Sequence, residues 1–145
     1  MKNKNLENLI YILLILFTPL FVTQIINGRQ IDSMNKLCKL DTGKDVLIQG
    51  ENANILVDVE QYMLGVLPDI VECNNSDKYI EAQVVAIRTN IYALMGENNI
   101  INAAKLPYTY TFAEEYIERW GSSKYRVIEE KFIKAIINTE GKIIE

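Results

Sequence analysis

The chain has 145 residues, so one folded domain is expected, and its net charge of −4 with no basic run argues against nucleic acid, whose phosphates demand clustered cations. It contains no histidine, which removes the commonest general base and metal ligand, and no metal or cofactor is expected. The hydrophobic fraction of 49% is swollen by the N-terminus and says little about the core.

In chain order, Lys2 and Lys4 precede an apolar run from Leu9 to Ile26, broken only by Thr18-Pro19 and Thr23-Gln24. Roughly 18 residues at about 1.5 Å each give about 27 Å, close to the hydrocarbon thickness of a bilayer. No A-x-A-like cleavage site follows, and the leading lysines favour an inside N-terminus. Residues 1–27 are therefore expected to be one transmembrane anchor. Everything after it is expected outside the cytoplasmic membrane, in a single-pass arrangement. In that oxidising compartment Cys38 and Cys73 are two free thiols or one disulfide, and spacing alone leaves both open.

Residues 28–44 read as a polar linker. Asp45–Gln49 and Ile55–Val59 are short β-rich runs joined by a turn containing Gly50, Asn52 and Asn54, which suits a hairpin. Glu60–Val66 predicts a short helix stopped before Pro68.

Asp77–Leu94 is the clearest helix. Ser76 or Asp77 can cap it and Gly96 can end it, while Ile80, Val84, Ile87, Ile91 and Leu94 form one apolar stripe at helical spacing. Residues 98–107 read as a loop. Thr111-Phe112-Ala113-Glu114 has the pattern of a capping box. A last helix is expected over about Ser123–Ile137, with Tyr125, Ile128, Phe132 and Ile136 inward. Lys142–Glu145 looks like a strand that pairs back onto an earlier one. The pattern as a whole predicts an α+β fold, with a small antiparallel sheet and three to four helices after the anchor.

One block, Tyr62 to Leu94, carries a stronger signal. Its Y-x-x-G-V-x-P, followed at Ala82 by A-Q-x-V-A-x-R-T, resembles stage II sporulation protein D and the related amidase-enhancer (LytB-like) domains. The stretch Ala135–Ile144 is similar to the family's A-V-x-x-T-x-G-x-V-L. The likeness extends over residues 45–145, and the family continues beyond that point with a Gly- and His-containing segment. It implies peptidoglycan work during spore engulfment, with glycan strands and other wall hydrolases as partners and the membrane contacted through residues 9–26. Family enzymes look like lytic transglycosylases. One glutamate of raised pKa protonates the glycosidic oxygen and then accepts a proton from the sugar's 6-hydroxyl.

Where the family carries P-A-E-M, this chain reads Pro68-Asp69-Ile70-Val71, so the glutamate position falls on Ile70. Two readings follow. In one, the domain binds peptidoglycan, or assists hydrolases, without catalysis. In the other, Glu72 or Asp69 replaces the missing acid. The resemblance also gives Arg88 as a characteristic residue. Its guanidinium is expected to hold substrate by paired hydrogen bonds or to pair with an acid such as Glu81. Gln83 is expected to bond sugar hydroxyls or to bridge the turn backbone.

Overall fold

The computed structural model describes residues 4–50 and 53–144, and the side chains of 4–7, 9, 21 and 25–32 lie outside that description. Two compact units divide the chain, Met1–Asp32 and Ser33–Glu145. Helix α1 spans Lys4–Leu37. No proline follows Pro19 in this stretch, so nothing stops the helix at Gly28, and the expected linker is helical as far as Leu37. Pro19 cannot donate to the turn before it. The Thr18 and Thr23 hydroxyls donate to carbonyls four residues back, those of Leu14 and Pro19.

The described residues do not support the expected transmembrane span. The side chains of residues 9, 21, 25 and 26, within the expected span, lie outside the described set. Among the described residues no helix is long and apolar enough to cross a membrane. The described exposed apolar side chains run from Ile10 to Val22. That is roughly 20 Å of helix, against about 30 Å of hydrocarbon.

The second unit is built on a three-stranded sheet. Strands β1 (Asp45–Gln49) and β2 (Asn54–Asp58) form the anticipated hairpin, with Leu47 opposite Leu56. The third strand, β3 (Ile100–Asn102), pairs with β1 in parallel, and the order is β2-β1-β3. The sheet is thus mixed, not antiparallel. Three residues carry too little alternation to announce a strand, and a 3-10 turn over Ala103–Lys105 follows at once. At the other end of the sheet, Asp58 accepts from Thr42 at both its amide and hydroxyl, each at 2.7 Å, and caps the next helix through Glu60 N–H at 2.8 Å.

Five helices follow in this unit, α2 (Val59–Leu64), α3 (Leu67–Ile70), α4 (Asp77–Met95), α5 (Ala113–Trp120) and α6 (Ser122–Asn138), with α2 and α4 against the sheet. With α1 the described residues hold six helices, more than the sequence suggests. Pro68 explains one of them, because at the first positions of a helix its missing N–H is no loss. Helix α4 behaves as its pattern predicts: Ser76 Oγ accepts from Tyr79 N–H, and Gly96 ends the helix at φ 63°, a conformation that favours glycine. Ile80, Val84, Ile87 and Ile91 are buried, but Leu94 is 50% exposed and Met95 takes its place in the core.

The expected capping box does not form, because the residue at the cap is a phenylalanine with no side-chain acceptor, and only the reciprocal half is present. Phe112 is the N-cap and its amide reaches Glu115 at 3.5 Å, while the Thr111 hydroxyl is used elsewhere. The C-terminus is not a strand at residues 142–144. Instead the Lys142 carbonyl accepts from Arg88 and the Ile144 amide donates to Thr89 Oγ1, so α4 side chains satisfy a backbone that a sheet would otherwise pair. The core joins Val46 of the sheet, Tyr62, Met63 and Leu67 of α2 and α3, the α4 stripe, and Phe132, Ile133 and Ile136 of α6.

Candidate functional site

Two polar clusters are built on residues of the Tyr62–Leu94 block. The first is buried. Arg88 projects from α4 with no exposure, and Glu60 at the start of α2 is equally enclosed. The guanidinium donates through Nε and Nη2 to the two Glu60 oxygens, each at 2.6 Å. Nη1 donates to the carbonyls of Thr139 (2.7 Å) and Lys142 (3.0 Å), and Nη2 also reaches Thr139 Oγ1 at 3.4 Å. All five N–H groups of the fork are committed. Burial pushes the Glu60 carboxyl up, against the hydrogen bonds and charge of Arg88 that draw it down.

Arg88 therefore ties α2, α4 and the segment after α6 together and offers nothing to a ligand in this arrangement. The acid it pairs with is Glu60, and Glu81 instead accepts from Asn138 at 2.8 Å. Gln83 lies half-buried on α4.

The second cluster reaches the surface. Asp69 sits on α3, held by three donors. Thr111 Oγ1 (2.8 Å) and the Tyr116 hydroxyl (2.9 Å) bond one carboxylate oxygen, and Arg119 Nη1 (2.7 Å) bonds the other. Partial burial would raise this carboxyl, but the three hydrogen bonds and the Arg119 charge outweigh it and hold Asp69 below the usual aspartate range. Tyr116 is raised, first by burial, then by its bond to Asp69 and that residue's charge, so it keeps its proton for Asp69 and the Gly65 carbonyl (3.0 Å).

Aromatic side chains frame this cluster. Arg119 lies 5.3 Å over the Tyr116 ring and 5.8 Å over Trp120, while Tyr116 stacks on both Trp120 and Tyr125. On the other flank Tyr62 stacks on Tyr110, whose ring meets the edge of Phe112. Burial pushes the fully enclosed Tyr62 hydroxyl up to about 12. Gly65 makes the arrangement possible. A Cβ there would lie 2.3 Å from Tyr110 Cε2, so the ring packs directly on the backbone. The Gly65 carbonyl also accepts the Thr111 amide at 2.9 Å.

Ile70, next to Asp69, is 47% exposed. Glu72 is exposed on the turn leading to α4, and among the described residues nothing bonds its carboxylate. The structure thus brings Asp69 together with Thr111, Tyr116 and Arg119, and leaves Glu72, Gln83 and Arg88 apart from that group. Both cysteines are free thiols, Cys38 exposed and Cys73 half-buried. No group of three or more metal-ligating side chains occurs among the described residues.

The sequence assigns no site role to Glu60, Thr111, Tyr116, Arg119 or Thr139. For Glu60 a signal existed: an acid beside Val59, Tyr62 and Met63 lies on an apolar helix face, and a buried acid requires a cation. Thr111 carried a misleading one, since its capping-box pattern claimed the hydroxyl that Asp69 uses.

An α+β domain with a buried carboxylate–guanidinium fork and a surface acid in an aromatic frame is the class these observations define. The family model for SpoIID, stage II sporulation protein, matches residues 49–145, and the chain belongs to that family. It is similar to stage II sporulation protein D of Bacillus subtilis (strain 168), at 28% identity over 96 residues. That match covers 61% of this chain and 28% of the relative, so the chain spans less than a third of that protein's length. No solved structure matches.

Proposed function

We propose that this chain is a sporulation-associated cell-wall domain, held at the outer face of the membrane through α1, that binds peptidoglycan glycan strands or assists wall hydrolases without cutting the strands. Family membership supports the link to sporulation and the wall. One observation carries the non-catalytic reading: Ile70 stands where the resemblance puts the proton donor, and its neighbour Asp69 is locked as an anion. A general acid at a glycosidic bond needs a carboxyl whose pKa is raised toward the working pH. Asp69 is shifted the other way, and its three donors fix its direction. The exposed apolar surface of α1 from Ile10 to Val22 supports attachment to a membrane.

The ledge around Asp69 suits a sugar chain. Ile70 and Phe112, each adjacent to a member of the Asp69–Thr111 hydrogen bond, present exposed apolar surface to the C–H faces of pyranose rings. The part-exposed Asp69 and Arg119 present an acceptor and donors to hydroxyl and amide groups.

The test is incubation of the full chain, in mild detergent, with insoluble wall and with glycan strands stripped of stem peptides. Retention on wall, reduced in Arg119→Ala, and no anhydro-muropeptides are expected. Release of anhydro-muropeptides that ceases in Glu72→Gln would establish the rival reading, an active lytic transglycosylase.

A further inference from the structure

Strand β2 forms one edge of the sheet, and among the described residues no other strand lies along its outer side. Edge strands in monomeric proteins usually carry lysine, proline or a bulge that discourages pairing. This edge has none. Asn54, Ile55 and Leu56 are exposed, with Ile55 at 41% and Leu56 at 50% on opposite faces of the sheet. The single ionic residue, Asp58, turns its carboxylate inward to Thr42 and the α2 amide.

The hydrogen-bond phase of the hairpin fixes which backbone groups point outward. The Gly50 amide donates to the Ala53 carbonyl at 3.1 Å, and the Val59 amide to the Lys44 carbonyl at 3.0 Å. Antiparallel pairing alternates, so Ile55 and Val57 share that parity and face β1. The N–H groups of Asn54, Leu56 and Asp58 therefore point away from the sheet, with Leu56 at the centre.

We propose that β2 pairs with β2 of a second copy of this chain, antiparallel about a two-fold axis at Leu56, joining two three-stranded sheets into one of six strands. Such a closed pairing needs a self-complementary edge. In this register Leu56 faces Leu56 of the other copy and exchanges both backbone bonds with it. Asp58 is only 8% exposed and is enclosed by its own chain, so the bonds at Leu56 form the centre of the seam, and no two exposed charges meet. Ile55 lies opposite Val57, so apolar side chains cover both faces of the seam.

The experiment uses the full chain in mild detergent with Cys38 and Cys73 replaced by serine. Sedimentation equilibrium across a micromolar to sub-millimolar range is expected to show a dimer. Leu56→Pro removes an amide that β1 does not use, and is expected to leave a folded monomer by circular dichroism. Because association through α1 would also yield a dimer, the register is tested separately by cysteine cross-linking. Leu56→Cys places two thiols on Cα atoms about 5.5 Å apart, within disulfide reach. It is expected to cross-link rapidly under mild oxidation, whereas Ile55→Cys, which faces Val57, is not. A monomeric wild type overturns the proposal. So does a Leu56→Cys chain that cross-links no faster than Ile55→Cys, or an edge whose amides exchange as freely in the dimer as in the monomer.

Discussion

Glu60 and Arg88 meet as a two-pronged pair, with both bonds at 2.6 Å and neither side chain exposed. The fork leaves Nη1 to hold two carbonyls beyond α6, so one side chain fastens three separate parts of the chain. A buried pair of this kind is no great source of net stability, because desolvation offsets the attraction. Breaking it is another matter, since one charge is left enclosed and alone.

Arg88→Ala is accordingly expected to cost about 3–5 kcal/mol in urea unfolding, with Glu60 stranded in the core. Arg88→Lys keeps the charge but not the fork, and should fall between. The segment after Thr139 should gain protease sensitivity in both variants, measured by limited digestion of the folded protein. If Arg88 instead contacted only ligand, wall binding would fall while stability stayed unchanged.

Gly65→Ala puts a methyl group into the Tyr110 ring. The backbone is not the obstacle, since Gly65 has φ −81°, which any residue adopts. Overpacking should destabilise by about 1–3 kcal/mol. Removing the ring in Gly65→Ala/Tyr110→Ala should make the two effects non-additive, with the double variant more stable than the sum of the singles predicts. Additive effects would show that the ring does not press on this glycine.

Asp69→Asn tests the surface cluster through pH. The folded pKa of Asp69 is depressed, so its contribution is fully present above the unfolded value, about 3.9, and is lost as pH falls from there through the folded value. The stability gap between wild type and Asp69→Asn should be level near neutral pH and shrink below about pH 4. Midpoints of thermal unfolding across that range measure it. A gap that widens on acidification would mean the carboxyl is raised, which is what catalysis would need.

Phe132→Ala and Leu94→Ala separate two apolar residues that look alike in sequence. Phe132 is fully buried, and its truncation should cost about 3–5 kcal/mol. Leu94 is 50% exposed, and its truncation should stay within about 0.5 kcal/mol. Urea midpoints of the two variants decide the matter.

Much of the fold is visible in single elements. The Ser76 cap and Gly96 stop of α4 depend on local backbone chemistry and appear where the pattern puts them, as do four of the five residues of its apolar stripe. The hairpin register follows from two short runs and the turn between them. Leu94 shows the limit of such reading. Positions 94 and 95 flank the same stripe equally well, and neighbouring elements select Met95. The polar site was less legible still. The Thr111 hydroxyl reads as a helix cap because the competing acceptor, Asp69, is distant in sequence and adjacent only in space.

From the order of residues alone came the α+β class, the family, the principal helix and the hydrocarbon at position 70. These rest on periodicity, capping and motif spacing, all properties of short segments. Folding in three dimensions decided that Arg88 is enclosed with Glu60, that Asp69 is an anchored anion, and that β3 runs parallel to β1. The reason is physical: charges and strands are matched by proximity and by the withdrawal of water, and neither distance nor burial is written along the chain.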